Sequence, residues 1–261
     1  MRVDLHNHTT RCNHATGTMD EYIQKAIDLG IDIYGFTDHA PMDFEPEYRM
    51  DINQIIQYEN EVLNLKEKYK NKIDILLGYE VDFMSNPKYM ESKILNSNVD
   101  YLIGSVHFLD NWGFDNPAFL KEYENQNIDD IWINYFKTIE DMAKTSYFNI
   151  VGHLDLIKIF KYLPNKDIKS IAYNALKQIK KSNMALEINS AGLRKPIKEQ
   201  YPSKELLELA FELDIDITFS SDAHSIDQIG FKYEEVTKLA KKVGYTQCVS
   251  YVKKEKIHYT F

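Results

Sequence analysis

Apolar positions recur along this chain at two periods that take turns. Met1, Val3 and Leu5 alternate with Arg2, Asp4 and His6, the period of two of a half-buried strand, which throws His6 and His8 to the same side. The segment TMDEYIQKAIDLG then has Thr18 as N-cap, Glu21 three residues on, and Tyr22, Ile23, Ala26, Ile27 and Leu29 at helical spacing before Gly30 stops it. The alternation continues with strand segments IDIYGFTDH, KIDILLGYE, VDYLIGSVH, NIVGH, MALEINS and IDITFSSDAH. Helical periods fall in DINQIIQYENEVLNLKEKYK (opened by Asp51), PKYMESKILNS, IDDIWINYFKTIEDMAKTS, DIKSIAYNALKQIKKS, SKELLELAFELD and FKYEEVTKLAKKVG, and a last strand-like CVSYV precedes a charged tail. Seven strands, each followed by a helix, predict parallel pairing with right-handed crossovers, closed into a barrel in preference to an open sheet. Two irregular stretches after strands, residues 40–50 and 108–127, have the length and composition of binding loops.

The last residues of the seven strands share one chemistry. They are His6 with His8, Asp38-His39, Glu80, His107, His153, Glu187 with Asn189, and Asp222 with His224. In a parallel barrel all strand C-termini meet at one rim, where such barrels build their sites. His14 lies six residues past His8 and can turn back over that rim, which leaves His258 in the tail as the bystander among the eight histidines. Convergent imidazoles and carboxylates without a thiolate suit Zn, Mn or Fe, and they are too many for one ion, so two or three divalent metals are expected.

Composition narrows the setting. The 261 residues, 44% of them hydrophobic, can bury a substantial core, and no low-complexity linker interrupts them, so residues 1–261 are expected to form one domain. Forty acidic against 31 basic residues give a net charge of -9 with no dense basic run, which argues against a nucleic-acid partner. Only Cys12 and Cys248 are present, as in a reducing cytoplasm. The first residues do not read as a signal peptide, and no apolar run reaches the roughly 18 residues of a membrane span. A cytoplasmic protein is expected, with a homo-oligomer left open.

The motifs His6-x-His8, Thr37-Asp38-His39, Ser105-Val106-His107 and Ser221-Asp222-Ala223-His224 resemble, in order, the four signatures of the polymerase-and-histidinol-phosphatase (PHP) metallo-phosphoesterases. Gly78-Tyr79-Glu80 and Gly152-His153 look like that family's intervening ligand positions, so the likeness spans residues 1 to 224. In length and in VHFLDNWGFDNP the chain most resembles the family's histidinol-phosphate phosphatases. The resemblance implies a distorted barrel of seven βα units with a trinuclear metal centre: one ion on His6, His8, Glu80 and Asp222, a second on Glu80, His107 and His153, and a third on His14, His39 and His224. Glu187 and Asn189 are left as wall or supporting groups. It also implies hydrolysis of L-histidinol phosphate in histidine biosynthesis. Rival readings are a PHP phosphoesterase acting on nucleotides or nucleic-acid ends, and a non-catalytic metal-binding regulatory module; H-x-H alone would also admit an amidohydrolase-like barrel.

Hydrolysis of a phosphate monoester needs charge neutralisation and a nucleophile, and clustered divalent ions supply both. A metal-bridging hydroxide attacking phosphorus in line, without a phospho-enzyme, is therefore expected, with Glu80 and Asp222 in the catalytic centre. The phosphate also calls for a guanidinium. Of the four arginines (Arg2, Arg11, Arg49 and Arg194), Arg194 follows the sixth strand on the rim side and resembles the family's phosphate-binding residue; Lys158, just past His153, is a second candidate. Asp4, Asp38 and Asp155 neighbour proposed ligands and offer acceptors for the other ring nitrogens, although alternation suits Asp4 better to a turn. A cationic amino-alcohol substrate would suit the loops carrying Asp43, Glu45, Asp110 and Asp115 with Phe44, Trp112 and Phe114.

Overall fold

A computed structural model describes residues 1–261, the side chain of Pro87 excepted. Along the chain run strands β1 (Val3–Asp4), β2 (Ile33–Phe36), β3 (Asp74–Asp82), β4 (Tyr101–Ser105), β5 (Phe108–Leu109), β6 (Trp112–Gly113), β7 (Ile150–Val151), β8 (Ala185–Asn189), β9 (Ile217–Ser220), β10 (Gln247–Val252) and β11 (Glu255–Thr260). Seven of them pair in parallel in the order β1-β2-β3-β4-β7-β8-β9. The two edges then nearly meet: Leu5 N donates to Phe219 O at 3.0 Å, Asp222 N to His6 O at 2.8 Å and His8 N to Ala223 O at 3.0 Å. The expected seven-unit barrel is therefore present, and the seam between its first and last strands brings His6 and His8 beside Asp222.

Helices α1 (Met19–Asp28), α2 (Ile55–Tyr69), α3 (Ser92–Leu95), α4 (Lys121–Glu124), α5 (Ile128–Lys144), α6 (Ile168–Lys181), α7 (Lys204–Glu212) and α8 (Tyr233–Val243) surround the barrel. The α1 start is the capping box read from the sequence: Thr18 Oγ1 accepts from Glu21 N, and Glu21 Oε2 accepts from Thr18 N at 2.8 Å. Asp51 caps a short 3-10 turn that runs into α2. No helix among the described residues is long and apolar enough to cross a membrane.

Several local expectations need correction. The β1 segment is not half-buried, because barrel and helices cover both its faces: Val3 and Leu5 are fully buried, while Asp4, on the opposite face, is 1% exposed and accepts from Ser221 and Gly230. Regular pairing stops at Asp4 and resumes as a single bridge at Asn7. Strict alternation would send His6 outward with Asp4, yet His6 points inward, so Leu5 and His6 both face the axis. The stretch 108–127 contains the β5–β6 hairpin and α4, and PKYMESKILNS yields only a 3-10 turn and the four-residue α3. The presumed tail is strand β11, paired antiparallel with β10. This hairpin closes the barrel end opposite the histidines: Lys254 N reaches Asp100 O, Tyr251 Oη reaches Asn149 O, and the rings of Tyr251 and Tyr101 stack at 5.9 Å.

The axis is filled below the rim. Tyr101 Oη donates to Leu5 O at 2.6 Å across the barrel, and a Cβ on Gly35 would strike that hydroxyl, so glycine is what lets the ring cross. Above this layer the inward positions turn polar.

Candidate active site

On β3, Ile75, Leu77, Tyr79 and Val81 pack outward against the helices, so the alternate positions Gly78, Glu80 and Asp82 face the axis. Glu80 is only 1% exposed. Its Oε2 lies 2.9 Å from His39 Nδ1, 3.3 Å from His6 Nε2 and 3.6 Å from His8 Nε2; its Oε1 lies 3.0 Å from His153 Nε2 and 3.7 Å from His107 Nε2. One carboxylate thus confronts five imidazoles from the ends of four strands, β1, β2, β4 and β7. Asp222 Oδ1 stands 3.3 Å from His8 Nε2 and 3.5 Å from His224 Nδ1. Its backbone is left-handed, with φ of 52°, a conformation that costs a non-glycine residue free energy and concentrates at functional sites.

Of five sets of ligand-type atoms among the described residues lying within 4.8 Å of one another, three consist wholly of expected ligands: His6, His8 and Asp222; Glu80, His107 and His153; and His8, His39 and His224. The second has the residues of one grouping implied by the family resemblance, and the first has three of the four residues of another, with Glu80 beside it through His6 and His8. The third differs, since His8 stands where His14 was expected. A 3-10 turn at Thr10–Cys12 and the bond between His14 Nδ1 and Cys12 O, 2.7 Å, hold the His14 ring 5.4 Å from His39 and 4.7 Å from His224, and His14 groups with Cys12 and His224. Cys12, absent from the expected ligands, is there as a thiol: Sγ contacts Thr9 O, and burial pushes its pKa well up.

Burial alone would raise the acidity constants of Glu80 and Asp222, but the surrounding imidazoles hold both carboxylates well below their usual range. The imidazoles cannot all be cationic. Burial lowers His6, yet Glu187 and Glu80 outweigh it and hold His6 well above normal; burial and the neighbouring His8 push His224 well down, and burial takes His39 to about 4. His39 and His224, held neutral, can each offer a ring-nitrogen lone pair to a cation. His6 Nε2, both nitrogens of His8, His153 Nδ1, His224 Nε2 and Glu80 Oε2 are buried with no hydrogen-bond partner among the described residues. Unpaired buried polar atoms cost about 1–3 kcal/mol each, so this many at one point fits a set of divalent cations taking nitrogen and oxygen donors.

Carboxylates stand behind the rings and orient them. Glu187 Oε2 lies 2.8 Å from His6 Nδ1 and takes the Ser220 hydroxyl, while its Oε1 accepts His153 N and Asn189 Nδ2. Asn189 Nδ2 also reaches Asp222 Oδ2. Asp38, 3.6 Å from His8 Nδ1, accepts from Thr9. Asp82 bonds His107 Nδ1 and the Arg49 guanidinium. Sequence reading passed over Asp82 and Arg49; the i, i+2 spacing of Glu80 and Asp82 on one strand was a usable signal. Asp4 stays outward, as alternation suggested. Asp155 does not reach His153: its carboxylate is taken by Ser203 N and Lys158.

A cavity of 490 Å³ opens over the cluster, lined by His14, Glu80, His107, Asp115, Arg194 and Tyr201 among others. Arg194 sits in the 3-10 turn Ser190–Arg194, which lies close enough to Glu199 that only Gly192, without a Cβ, fits there. Its Nη2 donates to Asp222 O, and its buried Nη1 has no partner. Of the loop residues expected near a cationic substrate, Glu45 and Asp115 line this cavity. Asp110 and Trp112 line a separate one of 620 Å³, Phe114 is buried in the core, and Phe44 packs on Phe108.

Lys158 is a correction. Its ammonium, 2% exposed, is spent on Asp155 at 2.9 Å, Glu199 at 2.7 Å and Gln200 O at 2.8 Å, so none of its three protons is left for a phosphate. Lys158→Met strands a fully buried carboxylate and is expected to cost about 3 kcal/mol, or roughly 6–12 °C in Tm, with KM for a phosphate ester unchanged. Calorimetry with steady-state kinetics checks it; an unchanged Tm with a raised KM would return Lys158 to the substrate.

Comparison with known proteins bears directly on this site. The PHP domain matches residues 4–191. The chain is 38% identical over 244 residues to a probable histidinol-phosphatase of Deinococcus radiodurans, covering 92% of this chain and 93% of that one. It is 28% identical over 261 residues to the histidinol-phosphatase of Bacillus subtilis, at 88% and 96% coverage. In fold it is similar to the crystal structure of the histidinol phosphate phosphatase of Lactococcus lactis, solved with Zn, L-histidinol and phosphate, with a TM-score of 0.84 over 98% of each chain at 21% identity.

Proposed function

This chain belongs to the PHP domain family, and on that premise we propose that it is a metal-dependent phosphoric monoester hydrolase that converts L-histidinol phosphate to L-histidinol and phosphate. The observation that carries the reading is Glu80 set among five imidazoles at the floor of a cavity whose wall presents the unpartnered Nη1 of Arg194. The relatives matched over nearly their whole length bear that activity in their names.

His6, His8, Asp222 and Glu80 would hold one ion, Glu80, His107 and His153 a second, and His39 and His224 with His14 or His8 a third. Such cations, when bound, acidify water to a nucleophile near neutral pH and neutralise phosphoryl oxygens. Everything else falls to the chain. Glu187, Asp38 and Asp82 fix the ring orientations, and His107 together with Arg49 keeps Asp82 ionised against its burial. Arg194 Nη1 takes a phosphoryl oxygen while Nη2 stays on Asp222 O, so the phosphorus is held in a fixed relation to the carboxylate floor. The phosphoryl group passes directly to water in this reading, the histidines and carboxylates of the cavity floor being engaged with one another as ligand-type groups. The P–O bond to water forms as the ester P–O bond breaks, and the proton given up by the attacking water is balanced by the one taken up by the leaving alcohol oxygen. A cytoplasmic setting suits the two free, buried cysteines.

Phosphate release from the purified protein, measured on L-histidinol phosphate, nucleoside monophosphates and single-stranded DNA ends, tests the reading alongside metal analysis of the same sample. L-histidinol phosphate is expected to lead by about two orders of magnitude or more in kcat/KM. A strong chelator is expected to abolish turnover, and Zn, Mn or Fe to restore it. Preference for a nucleic-acid substrate, or full activity after chelation, would overturn the proposal.

A further inference from the structure

The cavity above the cluster is charged unevenly. Arg194 and Lys195 belong to the turn after β8, whereas Glu45 and Asp115 belong to the loops after β2 and β4. In the sheet order β2 and β4 flank β3, and β8 lies two strands past β4 on the way round, so the basic and acidic walls face each other across the mouth. Most other carboxylates around the site are already answered: Glu80 and Asp222 by imidazoles, Asp82 by Arg49 and His107, Asp155 by Lys158. Glu45 and Asp115 are not. Among the described residues neither has a Lys, Arg or His nitrogen within 4.0 Å, although both are half-buried. Tyr48 and Phe108 line the same wall.

Two carboxylates without an ion-pair partner in a partly desolvated wall are costly to keep charged. Burial raises both carboxyl groups above their usual range, and neighbouring carboxylates, Asp115 included, raise Glu45 further, with only partial offset from Arg49 at Glu45 and from His107 and His153 at Asp115. A ligand cation seated between them would remove that cost, whereas a neutral ligand would not.

We infer that Asp115, with Glu45, selects substrates carrying an alkylammonium group, holding that cation at the acidic wall while the phosphate faces Arg194 across the cavity. The inference rests on the proposed phosphatase activity and names the residues that set its substrate choice. A dipolar ester is then oriented from both ends. Monoesters lacking the ammonium leave the two carboxylates unpaired, and dianionic groups at that end are repelled.

The test compares kcat/KM for L-histidinol phosphate and for its deamino analogue, 3-(imidazol-4-yl)propyl phosphate, in the parent, in Asp115→Asn and in Glu45→Gln. The parent is expected to prefer the amine-bearing ester about 100-fold, and Asp115→Asn to reduce that ratio at least about 10-fold, with a smaller fall for Glu45→Gln. Because both esters are measured on one sample, partial misfolding of a variant cancels in the ratio. A ratio retained in both variants, or a parent indifferent to the amine, would overturn the acidic-wall assignment alone. A parent that cleaves p-nitrophenyl phosphate but neither imidazole ester would overturn the histidinol reading and this inference with it.

Discussion

Glu80→Gln is expected to lower kcat by well over 100-fold and to reduce bound metal by at least one ion per chain. The substitution keeps the shape and removes only the charge. In the parent the carboxylate remains ionised despite complete burial, because the surrounding imidazoles hold it far below its usual range. Gln cannot supply that negative charge, and its amide hydrogens would face ring nitrogens 2.9 to 3.6 Å away that should carry lone pairs toward a cation. Outer partners of metal ligands are worth about 10–100-fold, so a carboxylate reaching two ligand groups at once should exceed that range. Metal analysis and single-turnover kinetics on the same preparation decide it. If Glu80→Gln turned over substrate at the parent rate with its full metal complement, the shared-carboxylate arrangement would be wrong.

The second large effect concerns Arg194. Arg194→Ala is expected to lower kcat/KM about 100-fold, close to 2.7 kcal/mol at 25 °C, and to weaken inhibition by inorganic phosphate in parallel. Arg194→Lys should recover little. The guanidinium uses one nitrogen on Asp222 O and leaves the other free inside the cavity, and a single ammonium cannot span both positions. The pairing with Asp222 also makes Arg194 a brace for the left-handed residue that faces His8, so the Ala variant should lose kcat as well as KM. Phosphate inhibition unchanged in Arg194→Ala would remove this residue from the anion site.

Features written in local chemistry were legible in the chain. The capping box at Thr18 and Glu21 needs only residues three apart, and the seven strand segments needed only their own apolar runs. The placing of His6, His39, Glu80, His107, His153 and Asp222 at one rim followed from a general property of parallel barrels. Lys158 could not be judged this way. Its fate depends on Glu199 and Gln200, some forty residues later, and a lysine beside a histidine ligand carries no sign of a buried acceptor waiting elsewhere. Arg49 and Asp82 escaped for the same reason: the ion pair that steadies His107 joins a loop to a strand 33 residues away.

By itself, then, the chain determined which residue types would arrive at strand ends and how many, because strand period, helix caps and chain order are local or additive. Tertiary structure decided which atoms share a neighbour. It turned Leu5 and His6 to the same side at the seam with β9, set His8 nearer than His14 to His39 and His224, drew Glu45 and Asp115 to one wall, and used β10 and β11 to close the far end of the barrel. Those outcomes depend on distances of a few ångströms between groups tens to hundreds of residues apart, and such distances exist only once the barrel has closed.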